Sequence, residues 1–180
     1  MRKTSLVLSA AIVASTAVAF AFHTATAHPA ALDDATIVAI FDGANTADIE
    51  TGALAAQKSQ NAQVRDFGRM LSDVHTAVRQ QGRDLATKLH VTPTPLAGDK
   101  SAADHQAVMQ RLRGLDGAAF DRAFLEHERD FHAAVLDALN KTLVPAISNQ
   151  ELKGFVTSLV PAFEAHRLGA ENLLKKVAAN

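Results

Sequence analysis

The sequence predicts an all-α fold, a four-helix bundle made of two antiparallel helical hairpins. Three observations carry this. No Val-, Ile- or Thr-rich run alternates with the period of two that a strand requires. Ala, Leu, Gln, Lys, Arg and Glu, all strong helix formers, dominate from residue 34 onward, and apolar residues there recur three and four apart. About 27 residues separate the second long helical segment from the third, enough to travel the length of a bundle.

The first element is an address. Arg2 and Lys3 precede an apolar stretch, Leu6 to Phe22, that ends in the small-x-small signal Ala25-Thr26-Ala27. This is the pattern of a secretory signal peptide, residues 1–27, cleaved after Ala27. An uncleaved anchor is the alternative, because the apolar run is long for a signal core. No Cys follows it, which excludes a lipoprotein anchor. Cleavage leaves one domain, residues 28–180, with its core at about 34–177, and takes the formal net charge from −1 to −3. Two bases and no acid ahead of the apolar core suggest bacterial export, with the periplasm as destination.

Helix one is expected from about Asp34 to Ser59, capped by Asp33 or Asp34, with Ile40, Ala44, Ala47 and Leu54 along one face. Helix two follows from about Asn61, its cap, to His90, with a long stripe of Val64, Phe67, Leu71, Val74, Val78, Leu85 and Leu89. So short a link makes the pair an antiparallel hairpin. Pro93 and Pro95 stop helix two. A short helix, Ser101 to Arg113, lies in the crossover and ends at Gly114 and Gly117. Helix three is expected from about Ala118 to Leu143, broken by Pro145. Helix four starts at Ser148, which makes a capping box with Glu151, and Pro161 should kink or divide it. Two hairpins joined by one long crossover that carries a short helix is the ferritin-like arrangement of a four-helix bundle.

Composition excludes several function classes. The chain has no Cys, which rules out disulfides, zinc-thiolate sites, iron–sulfur clusters and cysteine nucleophiles. Balanced charge, 18 Lys and Arg against 19 Asp and Glu, argues against nucleic acid as a partner. There is no Gly-x-Ser-x-Gly elbow and no phosphate-cradling glycine loop. No apolar run after the leader is long enough to span a bilayer.

The informative residues are polar ones set in apolar stripes. Glu50 stands three after Ala47 and four before Leu54. His75 lies between Leu71 and Val78, with Gly68 and Gly82 a heptad to either side to leave room beside the imidazole. Glu128 follows Phe124 by four, His132 follows Glu128 by four, and His166 lies between Phe163 and Ala170. A buried charge is costly without a partner, so these groups should meet each other, an ion or water. At 1.5 Å per residue Glu128 and His166 share a level, whereas Glu50 and His75 are offset by roughly 7 Å. Glu50 could also pair with Arg79 or Arg83, Glu128 could be a solvated neighbour of Arg129 and Lys141, and His90, His105 and His127 are expected at the surface. No Glu-x-x-His occurs, although a carboxylate-bridged two-metal bundle site uses two.

Several of these segments resemble one family. Asn45-Thr46-Ala47-Asp48-Ile49-Glu50-Thr51-Gly52 is similar to its helix-one signature. Val64-Arg65-Asp66-Phe67-Gly68, His75, Val78-Arg79-Gln80-Gln81-Gly82 and Val91-Thr92-Pro93 resemble its helix two. Phe120-Asp121-Arg122-Ala123-Phe124 with His132 resembles helix three, and Pro161-Ala162-Phe163 with His166 helix four. The family is the exported, bacterial, ferritin-like one catalogued as domain of unknown function 4142, whose members are often labelled outer membrane proteins. The resemblance implies a ferritin-like bundle outside the cytoplasm, with Glu50, His75, His132 and His166 as typical polar positions, and no established activity. One position departs: where the family usually has Asp before the helix-two His, this chain has Val74.

The first functional reading is a non-catalytic envelope or stress-related protein, with envelope proteins as partners, in which these groups are polar links in the core. The alternative is a metal-binding bundle with Glu50, His75, Glu128, His132 and His166 as ligands. Mixed imidazole and carboxylate donors suit iron, zinc, copper or manganese. A second alternative is a di-metal redox enzyme, disfavoured by the missing Glu-x-x-His pairs and the absence of Tyr.

Overall fold

The computed structural model describes residues 32–178; the expected signal peptide and His28 lie outside the described residues. Those residues are all-helical, with no strand among them. Helix α1 spans Asp34–Lys58 and is capped by Asp33, whose Oδ1 accepts the Thr36 N–H at 2.8 Å. Helix α2, Ala62–Lys88, is capped by Asn61, whose Oδ1 accepts the Gln63 N–H at 2.9 Å. It closes on His90 in the left-handed region, φ 56°, with the Val91 N–H on the Ala86 carbonyl. Helix α3 spans Ser101–Arg113 and α4 spans Gly117–Ala138.

Two expectations near the second hairpin are corrected. Pro145 does not end helix three at Leu143. The helical path passes through a π turn, Leu139–Leu143, into one further turn, α5, Val144–Ala146. The Val144 N–H bonds the Leu139 carbonyl, five residues back, so the chain widens just ahead of the proline ring, where a tight α-turn would clash. The cap of helix four is Asn149 rather than Ser148. Asn149 has the extended backbone of a cap, and its Oδ1 accepts the N–H groups of Glu151 and Leu152. The Ser148 and Asn149 N–H groups both bond the Asp34 carboxylate, at 2.8 and 2.9 Å, which ties this hairpin to the start of α1. As expected, Pro161 divides the last segment into α6, Gln150–Ser158, and α7, Val160–Val177.

Helices α1 and α2 pack along their length, as do α4 and α7. The crossover starts beside the α1 N-terminus, where the Thr94 N–H bonds the Ala35 carbonyl at 3.1 Å. It finishes beside the other end of α1, where Lys58 bonds the Arg113 carbonyl and pairs with Asp116. Thus α4 runs antiparallel to α1, and α7 runs parallel to it.

The buried face of α1 is rotated from the expected one. Ala47 of the expected face is buried, with Ile37, Asn45, Asp48, Thr51, Gly52 and Ala55, while Ile40, Ala44 and Leu54 are half-buried. The helix is covered by α2, α3 and α4, so its apolar residues are spread around it and form no single stripe. Glycines bring α1 and α2 together. A Cβ at Gly52 would lie 2.6 Å from the Gly68 carbonyl oxygen, and one at Gly68 would lie 2.7 Å from the Ala55 Cβ. Gly82 accommodates the Phe41 ring. The room expected beside the His75 imidazole is therefore used for helix approach and for Phe41.

The core has two apolar clusters. One gathers Val64, Phe67, Leu71, Phe120, Phe124 and Ala170; the other gathers Ile37, Leu136, Leu139, Leu152, Val156 and Phe163. On α1, α2, α4 and α7 alike, buried polar residues stand between the two: Asn45, Asp48 and Thr51, then His75, then Glu128 and His132, then His166.

Candidate metal centre

This belt is the candidate site. Asp48 is 4% exposed, Glu128 0%, His75 and His132 1% each, and His166 6%. One ligating atom from each of His75, His132 and His166 fits within a mutual 4.8 Å, and so does one from each of Asp48, Glu128 and His132.

Hydrogen bonds settle the tautomers. The Asn45 amide N–H donates to the Phe41 carbonyl at 2.8 Å, so its Oδ1 is a fixed acceptor. His75 Nδ1–H donates to that oxygen at 2.9 Å, leaving the lone pair on Nε2. Phe163 stacks on the same imidazole at 5.5 Å and 16°. His132 Nδ1–H donates to the Glu128 backbone carbonyl at 2.9 Å, and its Nε2 lone pair has no partner. A ring fixed by an N–H bond on one nitrogen, with the other nitrogen bare, is the arrangement of a metal-ligating histidine. His166 Nδ1–H donates to the His75 Nε2 lone pair at 3.2 Å, a bond that an ion would replace. Two nitrogens each about 2.1 Å from one tetrahedral ion would be about 3.4 Å apart.

The carboxylates are set beside these imidazoles, and one of them, Asp48, reaches the bare His132 Nε2. Asp48 Oδ2 is 3.5 Å from His75 Nδ1, and Asp48 Oδ1 is 3.9 Å from His132 Nε2. Glu128 Oε2 is 3.7 Å from His132 Nδ1. Asp48 Oδ1 and both Glu128 oxygens lack hydrogen-bond partners. Burial pushes the Glu128 carboxyl up to about 7. Burial, and then the Glu128 charge, raises Asp48 well above the usual carboxylate range. Burial, and then the neighbouring imidazoles, holds His75 down to about 3; burial likewise takes His132 to about 4 and lowers His166. Neutral imidazoles beside carboxylates stripped of partners form a donor set that a cation would satisfy.

Of the five residues singled out in the sequence, His75, Glu128, His132 and His166 come together. Glu50 does not: it is exposed and accepts a bond from His105 Nε2 at 2.8 Å, rather than pairing with Arg79 or Arg83. The helix-one carboxylate of the belt is Asp48, two residues earlier. Residues two apart on a helix face away from each other, so both cannot enter one site. Asp48 was missed because its neighbours Asn45, Thr51 and Gly52 form no apolar stripe. Its level was a usable signal: it is 12 residues before the first turn and His75 is 15 after, an offset of roughly 4.5 Å against 7 Å for Glu50. Glu128 is no solvated neighbour of Arg129. His90 is exposed as expected, but His105 and His127 are half-buried, and burial, with His105 nearby, takes His127 to about 4.

No helix among the described residues is long and apolar enough to cross a membrane. Neither the curated proteins nor the solved structures include a match to this chain. The model of one family, described as a domain of unknown function (DUF4142), matches residues 20–173. The chain belongs to that family.

Proposed function

We propose that this protein is an exported, non-catalytic metal-binding bundle, and that Asp48, His75, Glu128, His132 and His166 hold a divalent transition-metal ion. One observation carries the reading: ligating atoms of five buried side chains from four helices fall into two close groups that share His132, and Asp48 Oδ1, both Glu128 oxygens and His132 Nε2 have no partner. A divalent ion would neutralise Asp48 and Glu128 when both are ionised, which removes the cost of burying them. Three imidazoles and two carboxylates are intermediate in softness and suit iron, zinc, manganese or copper. They fall short of the four carboxylates of a ferritin-type di-metal site, which weighs against the redox alternative. The two hairpins and the crossover between them support a ferritin-like bundle. The sequence of residues 1–27 supports export to the periplasm, where envelope proteins would be its partners.

The test is titration of the purified 28–180 domain with Fe(II), Mn(II), Zn(II) and Co(II), followed by calorimetry and thermal unfolding. One ion per chain is expected. It should add about 2.7 kcal/mol of stability at a free concentration a hundred times Kd. Asp48→Asn and His132→Leu should each weaken binding by at least about tenfold to a hundredfold. Absence of binding, with His166→Leu at least as stable as wild type, would instead establish the belt as a polar core network. The His75 bonds to Asn45 and His166 favour that second reading.

A further inference from the structure

A cavity of about 90 Å³ adjoins the belt on the side of the second apolar cluster. Its walls are apolar and come from Ile37 and Phe41 on α1, Val135 on α4, Leu139 and Leu143 at the ends of the π turn, and Phe163 on α7. Its inner end is different. There it meets Asn45, Asp48, His75 and His132, and the unpartnered atoms Asp48 Oδ1 and His132 Nε2 belong to two of these.

Water would have partners only at that inner end. A buried water needs two to four polar contacts, and apolar cavities of comparable size stay dry and take uncharged guests. A single α-turn in place of the π turn would rotate the wall that Leu139 and Leu143 provide, and π turns recur at functional sites.

We propose that the cavity is a binding site for an uncharged molecule of two or three heavy atoms, the class of the diatomic gases, and that it delivers this molecule to the open face of the histidine–carboxylate cluster. Delivery to an ion rests on the metal reading above; occupancy of the cavity does not. A charged ligand would lose its hydration against apolar walls, and a larger one would not fit. Leu139, Val135 and Phe163 set the size limit.

The experiment has two arms. Crystals of the metal-free protein are pressurised with xenon, and a site is expected between Leu139, Val135 and Phe163. Ala138→Leu and Ala44→Leu, which extend side chains into the cavity from two helices, should abolish it; the second variant serves if the first does not fold. Separately, nitric oxide is mixed with Fe(II)-loaded wild type and variant. The ferrous–nitrosyl absorbance should appear at least about tenfold more slowly in the filled variant at unchanged Fe(II) affinity, because entry then waits on an opening of the fold. No xenon site, xenon that persists in both filled variants, or equal nitrosyl rates would overturn the proposal. Xenon bound without any uptake of metal would sink the metal reading and the delivery to an ion, and leave the cavity as a gas-binding site.

Discussion

The two apolar halves on either side of the polar belt are packed in different ways. In the half nearer the first hairpin turn, Phe124 meets Phe67 edge-on at 6.3 Å and lies parallel to Phe120 at 6.2 Å, beside the contact of Gly52 with Gly68. In the other half the walls are mainly aliphatic, a π turn interrupts the helix, and a cavity of about 90 Å³ remains. Dense packing on one side fixes how the four helices converge, and so fixes the distances among Asp48, His75, Glu128, His132 and His166. Looser packing on the other leaves the face of that cluster open to a small molecule. Stability and access are thereby assigned to opposite ends of one core.

The largest effect should come from the dense half. Phe124→Ala is expected to cost about 3–5 kcal/mol in urea unfolding. Leu139→Ala should lie near about 2 kcal/mol, because one side of Leu139 already faces space and loses few contacts. Equal costs would mean that the two halves are packed alike.

The belt itself should show an intermediate, pH-dependent effect. Glu128, pushed up to about 7 from 4.5, contributes stability that is complete below pH 4.5 and lost as the pH rises through 7. His75 and His132, held to about 3 and about 4 from 6.5, contribute stability that is complete above pH 6.5 and lost as the pH falls toward those values. The metal-free protein should therefore be most stable near neutral pH. Glu128→Gln should reduce the loss on the alkaline side, to which the raised Asp48 also contributes, stabilising the metal-free chain there by about 1–2 kcal/mol while weakening metal binding. Unfolding midpoints measured from about pH 5 to pH 8.5 check both signs. A variant that lost stability at alkaline pH would show that Glu128 is satisfied in the core without an ion.

The smallest effect is expected at Glu50. Glu50→Gln should change stability by less than about 0.5 kcal/mol and leave metal affinity unchanged, since the side chain is exposed and bonded to His105. A loss of binding equal to that of Asp48→Asn would move the helix-one ligand back to Glu50.

Element boundaries were legible wherever a local rule acts alone. Asn61 caps its helix as read, Asp33 is the cap of the two read for the first, α3 has the predicted ends, and Pro161, read as a kink or a break, divides the last segment. Local rules misled where a distant group intervened. The cap fell to Asn149 rather than Ser148, in a hairpin whose two N–H groups are held by Asp34, 114 and 115 residues away. Pro145 was absorbed by a π turn. Three histidines and Glu128 were found because each interrupts a clear apolar stripe, whereas Asp48 lies among small and polar residues on a helix covered from several sides.

By itself, the sequence determined that the chain is helical, where its first helices start and stop, and that His75, His132 and His166 turn inward. Propensity, capping and the 3.6-residue period all act within a few residues. Only the tertiary structure decided which carboxylate helix one sends to the cluster, that His127 is half-buried, and that Asp48, His75 and His132 line a cavity. Those outcomes depend on how far one helix is rotated against three others, and close contacts such as Gly52 on Gly68 set that rotation across the interface, beyond the reach of any pattern along a single helix.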